Sequence, residues 1–539
     1  MRHGGKILVD QLKIQGVERV FCVPGESYLA ALDGLYESGI ETIVGRQEGG
    51  VAMMAEAHGK LTGTPGVAFV TRGPGATNAS AGVHVAFQDS TPMILFVGQV
   101  ASDQRDREAF QELDYRQMYA PLAKWAAEID RIDRIPEYVS RAFHVAVSGR
   151  PGPVLLSLPE DMLSAAADVL DALPANPARQ MVCDEVVGEV IDRLTSAQRP
   201  FVIVGGSTWS AEAAHNLGEF AAALGLPVGA SFRCQDYLDN RHPNYVGDVA
   251  IAPNPALTEQ VRNSDCLLVL GARLGEMTSS GYSLFDVPNP KQSLIHIHAD
   301  ADEIGRVYRP AVGLACRAAD FLARAVGLTE GMAKQSPVVA RKSYEAWQEP
   351  SPTPGAVKME KVIHHLSKVL ADDAIITNGA GNYAAWLHRY FCYKSYRTQL
   401  APTSGSMGYG LPAAVAAKLN HPDREVVCLA GDGCFQMTMQ EFGTAFQYGA
   451  KIIVIVVNNG VYGTIRMHQQ RDYPDRPSAT TMFNPDFAAL ATCYGCNGEV
   501  VTVTQDFEAA FARAQSSEKS TILELRTDPA AVSPRTPIA

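Results

Sequence analysis

Short apolar runs of strand length recur along the chain and alternate with longer segments of helical periodicity. The purest of them have no alternation of apolar and polar positions, a pattern typical of parallel strands that are covered on both faces. The runs lie at residues 19–24, 41–45, 66–71, 93–98, 154–162, 199–206, 226–231, 265–276, 293–300, 373–377, 425–430, 451–457, 498–503 and 520–528. Their alternation with helices predicts an α/β fold built from doubly wound, mainly parallel sheets.

Two segments without strand periodicity divide the chain. Residues 166–183 are rich in Ala, Pro and Asp, and residues 326–357 are polar and rich in Pro, so both indicate linkers. A chain of 539 residues is too long for one core and suits about three domains of ordinary size. We therefore predict three α/β domains, at residues 1–165, 184–326 and 358–530.

Composition and charge narrow the classes of function. The net charge is −12 and no basic run occurs, which argues against nucleic acid as a partner. No stretch of 18 apolar residues occurs, so we expect no membrane span. The first residues lack the features of a signal peptide, and the ten scattered cysteines are typical of reduced thiols. We expect a cytoplasmic protein.

The most informative unit contains the strands at residues 425–430 and 451–457, which we expect to be joined by a crossover helix over residues 435–448. Gly431-Asp432-Gly433 ends the first strand, and Asn458-Asn459 ends the second. Ligands of open α/β sheets bind beyond the carboxyl ends of the strands. Both polar clusters therefore fall where a ligand would lie.

A carboxylate and an amide oxygen at this edge form an oxygen-rich set suited to Mg²⁺. Asp432 precedes Asn459 by 27 residues. With nearby backbone carbonyls, these groups match the octahedral oxygen coordination that Mg²⁺ prefers and shares with phosphate. The glycines on either side of Asp432 allow the backbone to approach a phosphate closely. Two ordinary turns are the alternative, since both clusters are good turn sequences.

The Gly-Asp-Gly and Asn-Asn pattern resembles the diphosphate and Mg²⁺ motif of thiamine-diphosphate enzymes. The resemblance implies that Asp432 and Asn459 bind the metal through their side chains and Val461 through its backbone carbonyl. It also implies that Gly433 and Cys434 lie against the diphosphate. Enzymes of this family use the cofactor as an electron sink for carbanion chemistry that side chains perform poorly.

Glu48 is the candidate activating residue. It follows a predicted strand and opens an Ala- and Met-rich helix, so its position alone indicates a first-turn carboxylate that interacts with the helix dipole. The junction at residues 46–50, however, resembles the site of the family's activating glutamate, which hydrogen-bonds N1′ of the cofactor's aminopyrimidine. Residues 73–78, Gly-Pro-Gly-Ala-Thr-Asn, resemble a segment of the acetolactate synthase branch.

Two glycine-rich segments in the last third complete the expected cofactor site. The loop that carries Gly381 and Asn382 follows a predicted strand and suits a diphosphate. Residues 405–412 resemble a family segment that begins at Gly405 and whose methionine, here Met407, wedges under the cofactor and bends it. Without the resemblance, this methionine would be interpreted as core filler.

Four further residues are candidates for contact with substrate. Phe110 and Gln111 resemble the Phe-Gln pair that reaches toward substrate in the acetolactate synthase branch. His468 stands where biosynthetic acetohydroxyacid synthases have a tryptophan that helps to choose the acceptor. Arg273 matches an arginine near FAD and the acceptor carboxylate in that branch, and a surface arginine after a strand is an equal alternative. The central domain holds FAD in that branch, and the sequence leaves FAD occupancy open.

The motifs cover nearly the whole chain in the family's order and imply an acetolactate-synthase-like carboligase, with Glu48, Met407 and Gln111 as its catalytic residues. Such an enzyme decarboxylates a 2-oxo acid such as pyruvate and adds the remaining fragment to a second carbonyl acceptor. Glu160, where the branch often has lysine, and His468 depart from the biosynthetic pattern. The alternative is a non-ligating decarboxylase or aldehyde lyase, similar to benzoylformate decarboxylase or benzaldehyde lyase.

Two hypotheses from other classes are weaker. A cofactor-binding protein without catalytic activity would not need to retain Glu48. A nicotinamide dehydrogenase would need a complete dinucleotide fingerprint, and Gly205-Gly206-Ser207 is not one. Both hypotheses therefore explain fewer of the motifs than a thiamine-diphosphate enzyme does.

The resemblance also bears on assembly. In the family, the residue at Glu48 of one chain completes the site that the residues at Asp432 and Asn459 build in another chain. A single chain would then lack a complete active site. We therefore expect a homodimer, or a tetramer of dimers, with active sites between chains.

Overall fold

The computed structural model describes residues 1–178 and 180–535. Three six-stranded sheets follow one another along the chain, every pair of neighbouring strands within them is parallel, and helices flank each sheet. This arrangement confirms the predicted α/β class and the three doubly wound sheets.

The first third of the chain forms the first sheet. The strands in this part of the chain are β1 (Arg2–His3), β2 (Arg19–Cys22), β3 (Glu41–Val44), β4 (Gly66–Val70), β5 (Met93–Gln99), β6 (Trp125–Glu128), β7 (Pro153–Pro159) and β8 (Ala166–Ala167). Its helices are α1 (Gly4–Ile14), α2 (Leu29–Leu35), α3 (Glu48–Thr62), α4 (Pro74–Asp89), α5 (Tyr115–Tyr119), α6 (Ile135–Val147) and α7 (Glu160–Ser164). The sheet order is β3-β2-β4-β5-β7-β6, and β1 pairs with β8 separately.

The central sheet has a Rossmann-like arrangement. Its strands are β9 (Pro200–Val204), β10 (Val228–Ala230), β11 (Tyr245–Asp248), β12 (Cys266–Leu270), β13 (Ser293–His298) and β14 (Val312–Ala315). The surrounding helices are α8 (Asp184–Ser196), α9 (Ala211–Leu224), α10 (Pro255–Arg262), α11 (Ala318–Leu328) and α12 (Val338–Trp347). The order β11-β10-β9-β12-β13-β14 reverses direction at β9, between β10 and β12.

The last sheet repeats the pattern. Its strands are β15 (Ile375–Asn378), β16 (Gln399–Leu400), β17 (Val426–Gly431), β18 (Ile453–Asn458), β19 (Asn497–Val501) and β20 (Thr521–Arg526), in the order β16-β15-β17-β18-β20-β19. Its helices are α13 (Met359–Val369), α14 (Ala384–Tyr390), α15 (Gly410–Asn420), α16 (Asp432–Gln436), α17 (Glu441–Gln447), α18 (Gly463–Asp472), α19 (Phe487–Cys493) and α20 (Thr504–Ser516).

One continuous core joins the first and last sheets. Helix α3 of the first sheet packs against α15 of the last, and buried Ala52 and Met54 share a core with Ala413 and Val415. Small side chains at this contact let the two helices approach closely. The packing fixes α3, which begins at Glu48, against the last third of the same chain.

The predicted helix over residues 435–448 is wrong as a single element. The chain forms α16, then a turn, then α17. The turn is fixed by Thr438, whose Oγ1 donates a hydrogen bond of 2.6 Å to the carbonyl of Gly408. The first of the two helices begins at Asp432 itself, so the candidate metal ligand stands on a helix N-terminus.

The segment at 326–357, interpreted as a linker, contains helix α12. Its Tyr344 is buried and meets Tyr245 of β11 edge to face, with ring centroids 5.2 Å apart. Arg341 donates hydrogen bonds to the backbone carbonyls of Asn240 and His242. Tertiary contacts with the central sheet therefore order residues that a Pro-rich composition assigns to a linker.

No helix within residues 1–178 and 180–535 has both the length and the apolar character needed to cross a bilayer.

Asp236 links the central and last sheets and gives a test of the fold. It is buried, and its Oδ2 accepts hydrogen bonds from the N–H groups of Thr398 (2.9 Å) and Gln399 (3.1 Å). Burial raises the pKa of Asp236 to about 6. The folded chain therefore holds a proton, between the ordinary carboxyl pKa and pH 6, that the unfolded chain has released, so this residue makes folding less favourable as pH rises through that window.

We expect Asp236→Asn to remove that pH dependence. Relative to the wild type, the variant's free energy of unfolding should rise by roughly 2 kcal/mol between pH 4 and pH 7, because a shift of one pKa unit is worth about 1.4 kcal/mol and the unfolded carboxyl is already partly ionised at pH 4. Chemical unfolding of both proteins at the two pH values measures this difference. A substitution effect that is the same at both pH values would contradict the expectation.

Candidate functional site

The carboxyl ends of β17 and β18 meet, as the spacing predicted. Gly431 and Val457 are partners in the register of these neighbouring strands. Just beyond them, buried Asp432 accepts a hydrogen bond of 2.8 Å on Oδ2 from the N–H of Gly460. Its Oδ1 accepts a hydrogen bond of 2.9 Å from the N–H of Gly433. The Asp432 carboxylate and the loop after β18 therefore form one polar site.

The loop after β18 is held in a fixed shape. Asn459 Oδ1 accepts a hydrogen bond of 3.1 Å from the N–H of Val461. Tyr462 and Thr480 pair through their backbones at 2.8 Å, next to an antiparallel bridge between Val461 and Thr481. Within residues 1–178 and 180–535, the carbonyl oxygen of Val461 accepts no hydrogen bond. This oxygen is free to bind another group.

A glycine-rich loop lies next to this site. The N–H of Gly408 and the hydroxyl of Tyr383 each donate to the Sγ of Cys434, at 3.2 Å. The Cys434 side chain is therefore buried and held by two donors. Met407, directly before Gly408, is half-buried against the core of the last sheet, and Gly405 has a φ of 69° with open space around it.

The loop that carries Gly381 and Asn382 is tied to helix α18. Asn382 accepts a hydrogen bond of 3.0 Å on Oδ1 from the hydroxyl of Thr464, and the backbone N–H of Asn382 donates to the hydroxyl oxygen of Thr464, also at 3.0 Å. Gly381 has a φ of 143°, a conformation that side chains rarely adopt. His468 lies exposed on α18, a helix without any buried residue. The structure therefore brings Asn382 toward the helix of His468.

Glu48 lies in a second polar region, at the first sheet. It is the first residue of α3, after the N-cap residue Gln47. The amide of Asn78 donates a hydrogen bond of 2.9 Å to Glu48 Oε2. A Cβ at Gly75 would lie 3.2 Å from Glu48 Oε1, so glycine at this position gives the carboxylate room. The junction at residue 48 and the segment 73–78 are therefore neighbours.

Gln111 and Phe110 belong to the same region. Gln111 has a φ of 64°, and a Cβ at Gly73 would lie 2.8 Å from the Cβ of Gln111. Glu112 holds this loop, because its carboxylate accepts the N–H groups of Asp106 (2.8 Å) and Ala109 (3.1 Å). The aromatic side chain of Phe110 is 76% exposed, so in a single chain it projects away from the core.

No hydrogen bond joins the Glu48 and Asp432 carboxylates to a common partner among residues 1–178 and 180–535. The Glu48 carboxylate accepts the side-chain amide of Asn78, and the Asp432 carboxylate accepts the N–H groups of Gly433 and Gly460. Glu441 of α17 ties the last third of the chain to the start of α3, because it accepts the N–H groups of Arg46 and Gln47 at 3.0 Å. Burial raises the pKa of Glu441.

Comparison with known proteins identifies the family. Models of thiamine pyrophosphate (TPP) enzyme domains match at residues 2–118 (N-terminal TPP binding domain), 187–325 (central domain) and 379–525 (C-terminal TPP binding domain). The acetolactate synthase isozyme 2 large subunit of Escherichia coli (strain K12) is 30% identical over 537 residues, which cover 98% of this chain and 96% of that protein. The chain belongs to the thiamine pyrophosphate enzymes.

Two other relatives give the same result. The acetolactate synthase large subunit of Corynebacterium glutamicum is 31% identical, and the match covers 95% of this chain and 84% of that protein. The mitochondrial acetolactate synthase catalytic subunit of Saccharomyces cerevisiae is 29% identical, and the match covers 97% of this chain and 80% of that protein. The predicted resemblance to thiamine-diphosphate enzymes of the acetolactate synthase branch is confirmed, and thiamine diphosphate is the cofactor of the family's binding domains.

The residues at the Asp432 site fit a hard cation next to the thiamine diphosphate of this family. One carboxylate, one amide oxygen and a free backbone carbonyl are donors that Mg²⁺ accepts. Burial raises the pKa of Asp432, and a bound cation would favour its ionised form. In the described part of the chain no group of three or more His, Cys, Asp or Glu is arranged to hold a metal, so any cation here depends on neutral oxygens beside Asp432.

Asn484 is a residue of this thiamine pyrophosphate enzyme site that the sequence did not reveal. Its Nδ2 donates to Asp432 Oδ2 at 2.7 Å and to Asn458 Oδ1 at 2.8 Å. Its Oδ1 accepts the side-chain amide of Gln436 at 2.9 Å. Asn484 thus orients the carboxylate from a segment 52 residues away. Its place in Asn-Pro-Asp indicates only a turn before α19.

We expect Asn484→Ala to weaken the binding of Mg²⁺ and thiamine diphosphate by about 10- to 100-fold, the usual effect of removing a group that orients a ligand. Isothermal titration of the apoprotein measures both affinities. Asn497→Ala, on the exposed side of β19, is the control. Equal affinities in the Asn484 variant and the wild type would contradict this role.

Arg273 forms an ion pair with Glu303, which belongs to neither polar region of this thiamine pyrophosphate enzyme. Its Nε is 3.3 Å from Glu303 Oε1, and the side chain of Glu303 is only 8% exposed. Arg273 also lines a cavity between the three sheets. Its position therefore connects it with that cavity, and its charge already has a buried partner.

Proposed function

We propose that this chain is a Mg²⁺-dependent carboligase of the acetolactate synthase type. It would decarboxylate a 2-oxo acid such as pyruvate and add the remaining fragment to a second carbonyl acceptor. The observation that carries the proposal is the likeness to acetolactate synthase catalytic subunits over nearly the whole chain. The two polar regions supply residues for that chemistry.

Asp432, Asn459 and the carbonyl of Val461 would hold Mg²⁺. The proposal is supported by the hydrogen bond between Asp432 and Gly460, which joins the two strand ends, and by the free carbonyl of Val461. Gly433 and the backbone of Cys434 would lie against the diphosphate, with Gly381, Asn382 and Gly405 at its other side. The N-terminus of a helix at Asp432 favours an anionic group there.

Glu48 would provide the carboxylate that hydrogen-bonds the aminopyrimidine ring. Thiamine diphosphate, when bound, supplies the electron sink for decarboxylation and carbon–carbon bond formation. Met407 would support the cofactor from below, and Gln111 would orient the substrate beside Glu48. The contact between Asn78 and Glu48 Oε2 keeps the carboxylate in one orientation and leaves Oε1 for the ring.

We propose that the complete site forms between two chains, as a homodimer or a tetramer of dimers. Glu48 of one chain would face Asp432 and Asn459 of another. Support comes from exposed aromatic residues on both regions, since Phe110 is 76% and Phe483 is 100% exposed in the single chain. A second copy would cover both side chains.

FAD is proposed for the cavity between the three sheets. The cavity has a volume of about 1220 Å³ and is lined by Asp89, Ser231, Arg273 and Thr403. Its wall includes Gly206, whose φ is 76° and whose Cβ would lie 1.9 Å from the Gly271 carbonyl, so the turn requires glycine. An absorption spectrum of purified protein, with bands of a flavin, tests this part of the proposal separately from activity.

The domain boundaries 1–165, 184–326 and 358–530 are part of the proposal. Limited proteolysis would cut preferentially between these ranges, since exposed segments between domains are cleaved first. The ordered helix α12 makes residues 348–357 a better target than residues 338–347.

The test is to incubate the protein with thiamine diphosphate, Mg²⁺ and ¹³C-labelled pyruvate, with and without FAD, and to follow the products by NMR. We expect acetolactate and CO₂ in a ratio of about one, since one carboxylate is lost for each new carbon–carbon bond. Omission of Mg²⁺ with a chelator present should abolish turnover.

Acetaldehyde and CO₂ without acetolactate would instead support the alternative, a non-ligating decarboxylase or aldehyde lyase. Glu160 and His468 favour that alternative, because both depart from the pattern of the biosynthetic enzymes. Lack of turnover with a panel of 2-oxo acids, despite bound thiamine diphosphate, would contradict both functions.

A further inference from the structure

An ion pair closes the carboxyl edge of the first sheet. Arg72 follows β4 and Glu160 follows β7, and these strands lie on either side of β5. Arg72 Nη1 donates to Glu160 Oε2 at 3.0 Å, across the end of β5. The arginine side chain is 13% exposed and that of the glutamate 37% exposed. The pair therefore joins a nearly buried cation to a carboxylate that is open to solvent.

Arg72 is adjacent to the candidate catalytic groups. The next residue, Gly73, touches Gln111, since a Cβ there would lie 2.8 Å from the Cβ of Gln111. Two residues later, a Cβ at Gly75 would lie 3.2 Å from Glu48 Oε1. One short loop thus connects the cation to both Gln111 and Glu48. Arg72 therefore lies on the same loop as the neighbours of both candidate catalytic residues.

Most of the N–H donors of the Arg72 side chain have no partner within the described residues. A guanidinium group has five N–H donors and binds a carboxylate best through two parallel hydrogen bonds. In the described residues, the Arg72 side chain makes one hydrogen bond, to Glu160. Because Glu160 is partly in water, its release costs little. A carboxylate with better geometry can therefore replace it.

Arg273, the other candidate for binding a substrate carboxylate, cannot exchange its partner as easily. Arg273 is paired with Glu303, whose side chain is 8% exposed. Separation of that pair would leave a buried carboxylate without a partner, which is costly. Of these two arginines, Arg72 is the one whose carboxylate partner can be exchanged.

The chemistry indicates which substrate carboxylate Arg72 would hold. A donor 2-oxo acid loses its carboxylate as CO₂, so a strong ion pair to that group would stabilise the ground state and slow the reaction. The carboxylate of an acceptor 2-oxo acid remains in the product, so its ion pair is compatible with every step. A persistent cation at this edge therefore suits the acceptor.

We infer that Arg72 binds the carboxylate of the acceptor 2-oxo acid in exchange for Glu160, and that this pair selects anionic over neutral acceptors. The inference rests on the proposed carboligase function and names its acceptor class. Glu160 competes with the acceptor carboxylate for Arg72. It therefore lowers the affinity of the enzyme for an anionic acceptor and does not lower its affinity for an aldehyde.

The test is a competition between acceptors. Pyruvate serves as donor, with 2-oxobutanoate and benzaldehyde present together as anionic and neutral acceptors, and NMR gives the ratio of their products. We expect Arg72→Gln to lower the anionic-to-neutral ratio about tenfold or more, and Glu160→Gln to raise it several-fold, because the two substitutions remove opposite charges. Arg134→Gln and Glu137→Gln, in an exposed ion pair at the N-terminus of α6, are matched controls and should leave the ratio unchanged.

The decisive result is a product ratio that falls in Arg72→Gln and rises in Glu160→Gln. An ion pair with only a structural role would change the ratio in the same way whichever partner is replaced. Shifts in the same direction, or an unchanged ratio in variants that still ligate, would overturn the inference while the proposed function stands. If Arg72→Gln does not fold, the partly exposed Glu160→Gln still tests the inference, because it should raise the ratio several-fold. Wild-type protein that decarboxylates but ligates neither acceptor would overturn the proposed function and the inference with it.

Discussion

Glu48→Gln is expected to lower turnover by about 100- to 10,000-fold, the range in which a positioned acid–base group contributes. The amide keeps the size of the side chain and its contact with Asn78 but cannot exchange a proton with the cofactor's ring. Steady-state assays with saturating thiamine diphosphate and Mg²⁺ measure the loss. Isotope exchange at C2 of the cofactor should slow by a similar factor.

Binding of the cofactor is the internal control for this substitution. The diphosphate and metal groups lie at the last sheet, so Glu48→Gln should change the affinity for thiamine diphosphate much less than it changes turnover. Glu41→Gln, an exposed carboxylate on β3 in the same sheet, should leave both unchanged. Undiminished turnover in Glu48→Gln would show that another group activates the cofactor.

Asp432→Asn should have the largest effect on cofactor binding. The substitution keeps the shape and one acceptor for the N–H of Gly460, and removes the one charged ligand of the proposed cation site. Because removal of orienting groups alone costs about 10- to 100-fold, we expect a loss of at least about 100-fold in the affinity for Mg²⁺ with thiamine diphosphate. Titration calorimetry measures it.

The fold of this variant should be retained. Burial raises the pKa of Asp432 in the absence of a cation, so a neutral amide at this position removes a desolvated charge. The amide has one oxygen, so one of the N–H donors on Asp432 loses its acceptor, which offsets this gain. The apoprotein should therefore still unfold cooperatively, at a temperature close to that of the wild type. Asp423→Asn, exposed before β17, is the matched control for both readouts. Unchanged metal affinity in Asp432→Asn would contradict the assignment of this ligand.

The strands of the sheet interiors could be predicted from the sequence, and several strands at sheet edges could not. In the three six-stranded sheets, the unpredicted strands β6, β11, β14 and β16 each lie at an edge, and the short strands β1 and β8, which pair with each other, were unpredicted as well. β6 and β14 are only partly buried, and β16 has two residues, so none of the three forms a long apolar run. Edge strands have one neighbour and are often short, which weakens their pattern in the sequence.

The candidate site was predictable where two motifs stand at the ends of neighbouring strands. Asp432 meets the Asn459 loop because parallel neighbours end at the same edge. Asn484 reaches the same carboxylate from another part of the chain, and no spacing rule indicates that. The break of the crossover helix depends on a side-chain contact between Thr438 and Gly408, which is equally invisible to periodicity.

The charge of Arg72 illustrates the same limit. The sequence singles out Glu160 as a departure from the branch, and it gives no partner for it. The structure adds that partner from a strand two positions away in the sheet. Residue types at strand ends were thus predictable, and the pairing between them was not.

The central claim is that Glu48 and Asp432 serve one reaction centre built by two chains. It is tested most directly by mixing Glu48→Gln with Asp432→Asn, dissociating and reassociating the subunits, and assaying turnover. Half of the dimers are then mixed, and each has one site with both residues intact. We expect recovery of about a quarter of the wild-type rate from two nearly inactive proteins. No recovery in reassociated mixed dimers would contradict the claim, because a site built within one chain stays damaged in every subunit.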